Sequence, residues 1–174
     1  MADVELVTMP YASLERPSLA LGILQSSLRE TSLTSNVVYA NLQFAQEIGL
    51  ETFAEVIRGA YYLLGEWTFA GSAFPDFKPD NPDFYLWYCE AVRQFTDPKN
   101  PRLQSAGGDA WARLCEEPPV RALETYSELR DQASRFITHL ATEILARRPR
   151  IVGCSSMVQQ HVPSLALLRK IKEL

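Results

Sequence analysis

Polar side chains that could do chemistry are concentrated in two turns of this 174-residue sequence. The first turn reads Pro10-Tyr11-Ala12-Ser13, and the second runs from Ser155 to Gln160 and contains Ser156 and Gln159. Hydroxyl and amide groups of this kind can hydrogen-bond the polar edge of a ligand, or they can satisfy the backbone of their own loops. For Ser155 and Ser156, the residues alone leave both alternatives open.

Motifs for nucleotide, metal and hydrolytic chemistry are absent from the sequence. It contains no G-x-G-x-x-G, P-loop, C-x-x-C or G-x-S-x-G pattern. The three cysteines, Cys89, Cys115 and Cys154, have no ligand spacing, so we expect reduced thiols, with Cys154 a small core residue of a strand. We expect His139 on an exposed helical face. His161 falls in an expected loop, where it could contact a ligand or serve as a surface or capping residue.

Composition excludes several broad classes of protein. The chain is 47% hydrophobic and 22% charged, which favours a packed domain over a disordered chain. Its net charge of −4 argues against nucleic acid as the main partner. No stretch approaches the ~20 apolar residues of a membrane helix, and the acidic N-terminus lacks the basic region of a signal peptide. We therefore expect a cytoplasmic protein that has no membrane partner.

The order of apolar segments predicts an α/β domain of the Rossmann or flavodoxin-like class. Three short apolar runs, at 4–9, 35–40 and 151–155, are each followed by a helical pattern, at 18–28, about 43–49 and from about Ser164. Ser18 is a candidate N-cap of the first of these helices. Continuously apolar strands in β–loop–α units indicate a parallel sheet covered by helices. In this doubly wound arrangement the expected strand order is 2-1-3, and ligands bind beyond the carboxyl ends of the strands.

A large helical insertion separates the second unit from the third. We predict a single domain over 1–174, made of two β–α units (1–49), the insertion (50–149) and the third unit (150–174). The clearest helix starts near Leu123, has apolar residues at every third or fourth position from Tyr126 to Ile144, and ends at Arg147-Arg148-Pro149. The fold looks truncated after this third unit, so we expect an open sheet edge that is completed by other residues or self-associates.

Several segments together resemble the N-terminal region of radical S-adenosylmethionine enzymes that mature ribosomally made peptides. The likeness is closest to the C-methyltransferase group that carries a cobalamin-binding-type domain. It rests on segments at 9–13, 16–22, 39–42, 64–70 and 152–159, with Gln160. Gly65-Glu66-Trp67 and Gln159-Gln160 are its most specific parts.

The resemblance implies a cobalamin-binding-type domain whose pocket is formed by the strand-end turns. The cofactor-binding residues that it implies are Pro10, Tyr11, Ala12, Ser13, Asn41, Ser155, Ser156, Gln159 and Gln160. It further implies that the complete enzyme transfers a methyl group from methylcobalamin to a carbon radical on a precursor peptide. The D-x-H-x-x-G cobalt-ligand motif is missing, so cobalamin rests on the resemblance alone.

The iron–sulfur cluster motif of the family, C-x-x-x-C-x-x-C, does not occur in this sequence. The cluster and S-adenosylmethionine would therefore belong to a C-terminal radical domain outside it, and this chain would not be catalytic alone. The expected partners are that radical domain and the precursor peptide. The alternative is a cofactor-free interaction module, in which the aromatic segment from Phe74 to Trp87 contacts the peptide or a partner protein.

Overall fold

The computed structural model describes residues 2–58, 63–76 and 119–174. The chain divides into two compact units, one formed by Met1–Phe77 with Arg130–Leu174 and the other by Lys78–Leu129. Almost all the described residues belong to the first unit. Cys89, Cys115 and most of the Phe74 to Trp87 segment lie outside the described residues.

Three strands and six helices make up the described part of the chain. The strands are β1 (Val4–Thr8), β2 (Ser35–Tyr39) and β3 (Ile151–Cys154). The helices are α1 (Leu19–Leu28), α2 (Ala40–Ile48), α3 (Leu50–Arg58), α4 (Leu64–Ala73), α5 (Pro119–Ala146) and α6 (His161–Glu173). The predicted elements are therefore present, and α4 is a helix that the sequence analysis did not identify.

The strands form one parallel sheet in the order β2-β1-β3, which confirms the predicted arrangement. Val4 pairs with Ser35 on one side and with Ile151 on the other, and Thr8 pairs with Tyr39 at the carboxyl end. All five residues of β1 are buried, as expected for the central strand. Within the described residues β3 pairs only with β1, and the predicted self-association through its outer edge stays a prediction.

Helix α1 covers one face of the sheet because of its capping residue and its apolar stripe. The Ser18 hydroxyl accepts a hydrogen bond from the Leu21 amide at 3.3 Å, which confirms the expected N-cap. Leu21 then packs with Val4 and Leu6 of the sheet. The opposite face of α1 is also apolar, and Ile23 is 57% exposed there.

Helix α5 follows the predicted periodicity. Ala133, Phe136, Leu140 and Ile144 are all buried on the stripe that their spacing indicates. The helix spans Pro119–Ala146, so it begins earlier than predicted. His139 lies on the exposed face, as expected, beside Glu143.

The predicted start of the last helix near Ser164 is wrong by three residues. Helix α6 begins at His161, so this histidine is the first residue of a helix rather than part of a loop. Pro163 lies within the first turn and removes only an amide that would lack a helical acceptor. No described helix is long and apolar enough to cross a membrane.

A buried carboxylate holds β1 to its neighbours at the amino end of the sheet. Glu5 is 1% exposed, and its Oε2 accepts hydrogen bonds from Asn36 Nδ2 at 2.8 Å and from Arg147 Nη1 at 3.2 Å. Because Asn36 is the register partner of Glu5, the bond favours this alignment of β1 with β2. Arg147 ties the end of α5 to the same carboxylate.

We predict that Arg147→Ala lowers the free energy of unfolding by about 1–3 kcal/mol, because it leaves a buried carboxylate with fewer partners. The matched control is Arg150→Ala, since Arg150 is a largely exposed arginine 3.7 Å from Asp3. The control variant should change stability far less. Urea unfolding followed by circular dichroism measures both, and equal losses would contradict the role of Glu5.

Candidate functional site

The turn after β1 is more deeply buried than a ligand-facing loop. Pro10 and Tyr11 are buried, Ala12 is half-buried, and Ser13 is exposed. Tyr11 has a φ of 67°, a left-handed conformation that is uncommon for a residue with a side chain. This backbone turns the tyrosine ring inward, so Tyr11 is part of the core.

Tyr11 is the centre of an aromatic cluster beneath the carboxyl edge of the sheet. Its ring centroid lies 5.7 Å from Phe44, 5.3 Å from Phe53 and 6.0 Å from Phe69. These distances fall in the range of favourable aromatic pairs. The cluster joins helices α2, α3 and α4 to the turn after β1.

The Tyr11 hydroxyl is buried and makes no hydrogen bond of good geometry. Burial raises the pKa of Tyr11, an effect that the Thr68 side chain opposes. The phenol is therefore neutral at physiological pH, and its hydroxyl offers no charge for ligand binding.

The turn after β3 is fastened to the turn after β1 by the side chains of Ser155 and Gln160. Ser155 Oγ accepts from the Met9 amide and donates to Gln160 Oε1, both at 3.3 Å. Gln160 Nε2 donates to the Met9 carbonyl, also at 3.3 Å. Gln160 is 2% exposed. Ser155 and Gln160, two of the predicted site residues, thus make their hydrogen bonds with other groups of the domain.

Gln159 connects the same turn to the start of α4. Its Oε1 accepts from the Gly65 amide at 2.7 Å, and it has a φ of 67°. A methyl group at position 65 would lie 2.6 Å from Gln159 Oε1 and 2.7 Å from Tyr11 Cδ2. Only a residue without a Cβ allows this approach, which explains the glycine at position 65.

Glu66 binds the amino end of α6. Its Oε2 accepts from the Val162 amide at 2.6 Å and its Oε1 from the His161 amide at 3.2 Å. Trp67 and Phe69, the neighbouring aromatic residues, are buried. The sequence does not reveal this contact of Glu66 with α6, because the partners are 95 and 96 residues away along the chain.

Asn41 lies at the first turn of α2, where it is 2% exposed. Its Nδ2 donates to the Ser13 carbonyl at 2.9 Å, whereas its Oδ1 is buried without a hydrogen bond. Asn41 therefore supports the turn after β1 from the neighbouring strand end.

Five of the nine predicted site residues are buried: Pro10, Tyr11, Asn41, Gln159 and Gln160.

The exposed part of this edge is mostly apolar with a few small polar groups. Met157 and Val158 are 72% and 67% exposed after β3. Ser156 is exposed between these residues and β3, and its hydroxyl lies 2.6 Å from His161 Nδ1. Tyr39, Leu42 and Ser13 are exposed near the ends of the other strands. We refer to Ser13, Tyr39, Leu42, Ser156, Met157 and Val158 as the exposed rim.

The described residues contain no cluster of three or more histidine, cysteine or acidic side chains that could hold a metal ion.

Cys154, at the end of β3, is a free thiol whose pKa burial raises to about 12. The thiol is thus protonated at neutral pH, but Cys154 is half-buried, so the expected core position is reached only in part. In the comparisons with known proteins, no family model, curated protein or solved structure matches this chain.

Gly65→Ala should lower the free energy of unfolding by about 1–3 kcal/mol, because the new methyl group overlaps Gln159 and Tyr11. Gly22→Ala is the matched control, since a Cβ at this exposed position of α1 meets no atom within 4 Å. The control should gain about 0.5–1 kcal/mol through helix propensity. Chemical denaturation of both variants gives the comparison, and a Gly65→Ala variant as stable as the parent would refute the close approach.

The Cys154 thiol should make stability depend on pH in the alkaline range. Its pKa is 9.0 in an unperturbed state and about 12 when buried, so the folded chain holds the proton more tightly. This contribution is complete below about pH 9 and is lost as the pH rises towards 12. We expect Cys154→Ala to lose less stability than the parent between these limits, as measured by urea unfolding at several pH values. If the stabilities of Cys154→Ala and of the parent fell by the same amount between these pH limits, the result would contradict the burial of the thiol.

Proposed function

We propose that this chain is the N-terminal α/β domain of a radical S-adenosylmethionine enzyme that matures a ribosomally synthesised peptide, and that its exposed rim contacts cobalamin. The catalytic cluster would belong to a radical domain outside this sequence. The sequence resemblance is the origin of the proposal.

The two most specific parts of the resemblance, Gly65-Glu66-Trp67 and Gln159-Gln160, meet at one place in the fold. Gln160 contacts Met9, Gln159 contacts Gly65, and Glu66 contacts Val162 through hydrogen bonds between residues 94 to 151 positions apart. Residues that follow neighbouring parallel strands lie at the same edge of a sheet, and here side-chain hydrogen bonds join them to one another and to Gly65. Their convergence at the carboxyl edge of the sheet is the observation that carries the proposal, because this edge binds ligands in doubly wound folds.

The residues at this edge fit a corrinoid that lies on the rim rather than one inserted beneath it. The aromatic cluster and the amide network fill the space below. Above them, Met157 and Val158 offer an apolar surface to a flat ring. Adjacent strands lie about 4.8 Å apart, so three strand ends span roughly the width of one macrocycle.

Each part of the edge would then have a distinct task. Ser13 and Ser156 would hydrogen-bond the polar periphery of the cofactor, while Met157 and Val158 would exclude water from one face of its ring. The buried residues Gln159 and Gln160 would keep the turn after β3 in position. Cobalamin, when bound, would supply a methyl group to the peptide.

Hydroxocobalamin titration of the chain, followed by ultraviolet–visible spectroscopy, tests the cofactor. We expect saturable binding that Val158→Glu weakens at least ~10-fold, because a charge on the apolar rim must be desolvated when the ring binds. The matched control is Ile23→Glu, which changes a similarly exposed apolar residue of α1. Equal effects of the two variants, or no binding by the parent chain, would reject the rim as a corrinoid site.

A second candidate function is cofactor-free recognition of the precursor peptide. The observation that favours it is the internal use of Ser155, Gln159 and Gln160, which leaves an exposed rim that suits an apolar peptide as well as a ring. Fluorescence anisotropy with a labelled candidate precursor peptide distinguishes the two. Tight peptide binding without corrinoid, at a rim that binds no hydroxocobalamin, would favour the second function.

A further inference from the structure

Ser156 and His161 are in hydrogen-bond contact at the exposed rim. The Ser156 hydroxyl lies 2.6 Å from His161 Nδ1, and both side chains are exposed. A serine hydroxyl within about 2.6–3.2 Å of an imidazole nitrogen is the arrangement that activates serine as a nucleophile. His139, the other histidine of the sequence, lies beside Glu143 on α5 instead. The contact between Ser156 and His161 therefore gives this serine a base that could take its proton.

Internal hydrogen bonds hold the backbone that carries this pair. The Met157 amide, which follows Ser156 in the chain, donates to Gln160 Oε1 at 3.2 Å. The His161 amide donates to Glu66 Oε1, also at 3.2 Å. Because the backbone is fixed on both sides, the hydroxyl and Nδ1 stay near each other before any reaction, which lowers the entropic part of the barrier.

The same hydrogen bonds limit the chemistry of the pair. An enzyme that transfers acyl groups repeatedly needs free N–H donors for the oxyanion of its tetrahedral intermediate. Here the amides of Met157, His161 and Val162 already donate to acceptors within the domain. The geometry therefore fits formation of one ester at Ser156 better than rapid turnover.

We propose that Ser156 is a covalent modification site that accepts an apolar acyl group from an activated ester or thioester. Met157 and Val158, which are 72% and 67% exposed, follow Ser156 in the chain and offer an apolar surface to the acyl group. The inference goes beyond the proposed function, because the reaction needs neither a corrinoid nor a radical domain.

The acyl transfer is balanced by the two side chains and the acyl donor. Ser156 Oγ attacks the acyl carbon while His161 Nδ1 takes the hydroxyl proton. The bond from the acyl carbon to the leaving oxygen or sulfur breaks, and its electron pair goes to the leaving group. The imidazolium then returns the proton to that group. The products are an ester at Ser156 and a free alcohol or thiol, with no change of oxidation state.

Incubation of the chain with para-nitrophenyl butyrate, an activated aryl ester, tests the proposal. Peptide mapping by mass spectrometry measures the acylation rate at each serine. The internal control is Ser26, an exposed serine of α1. We expect Ser156 to react at least ~10-fold faster than Ser26, somewhat below the usual contribution of a general base because the pair is open to water. His161→Gln should remove this difference.

The control for reaction at neighbouring side chains, including the His161 ring itself, is Ser156→Ala. Equal acylation rates at Ser156 and Ser26 in the parent chain would overturn the proposal. A Ser156 rate that is the same in the parent and in His161→Gln would also overturn it. Circular dichroism verifies that each variant is folded, and hydroxocobalamin titration of the same samples reports separately on the proposed function.

The position of the imidazole proton gives a second measurement that needs no variant. His161 Nδ1 can accept the Ser156 proton only when the neutral ring carries its own proton on Nε2. Long-range ¹H–¹⁵N spectra of the imidazole distinguish the two tautomers. We expect the proton on Nε2 in the parent chain, and a proton on Nδ1 of the neutral ring would contradict the role of His161 as a base.

Discussion

The close approach at Gly65 is the contact on which the rest of the site depends. Because this residue has no Cβ, the amide at the start of α4 comes within 2.7 Å of Gln159 Oε1. That distance places Glu66, the next residue, at the amides of α6. It also lets Phe69, one turn further along α4, reach the ring of Tyr11. A larger residue at position 65 would separate α4 from both strand-end turns at once.

Backbone conformations that are costly for ordinary residues accompany this contact. Tyr11, Leu63 and Gln159 all have positive φ angles, and all three contact or adjoin the start of α4. Such conformations persist only where surrounding interactions determine them strongly. Here the aromatic cluster holds Tyr11 and the Gly65 amide holds Gln159. The local strain is thus offset by long-range contacts that form only in the folded domain.

Short-range patterns in the sequence predicted the helices and strands whose formation depends on residues near one another in the chain. Apolar runs located the three strands, the spacing of Ala133, Phe136 and Leu140 located α5, and Ser18 marked the start of α1. The strand order also followed, because parallel strands with helical connections allow few alternatives. The start of α6 was missed because the acceptor for its first amides is Glu66, a residue far away in the sequence that no periodicity reveals.

The residues at the carboxyl edge of the sheet fall into a buried group and an exposed group. Gly65, Glu66, Gln159 and Gln160 contact other parts of the domain, so a family that shares them shares an architecture. A ligand is selected by side chains that it can reach, and here those include Ser156, which is exposed. Two domains could therefore share these buried contacts and bind different molecules. Under the proposed function a ligand contacts the exposed rim, while the buried network keeps that rim in place.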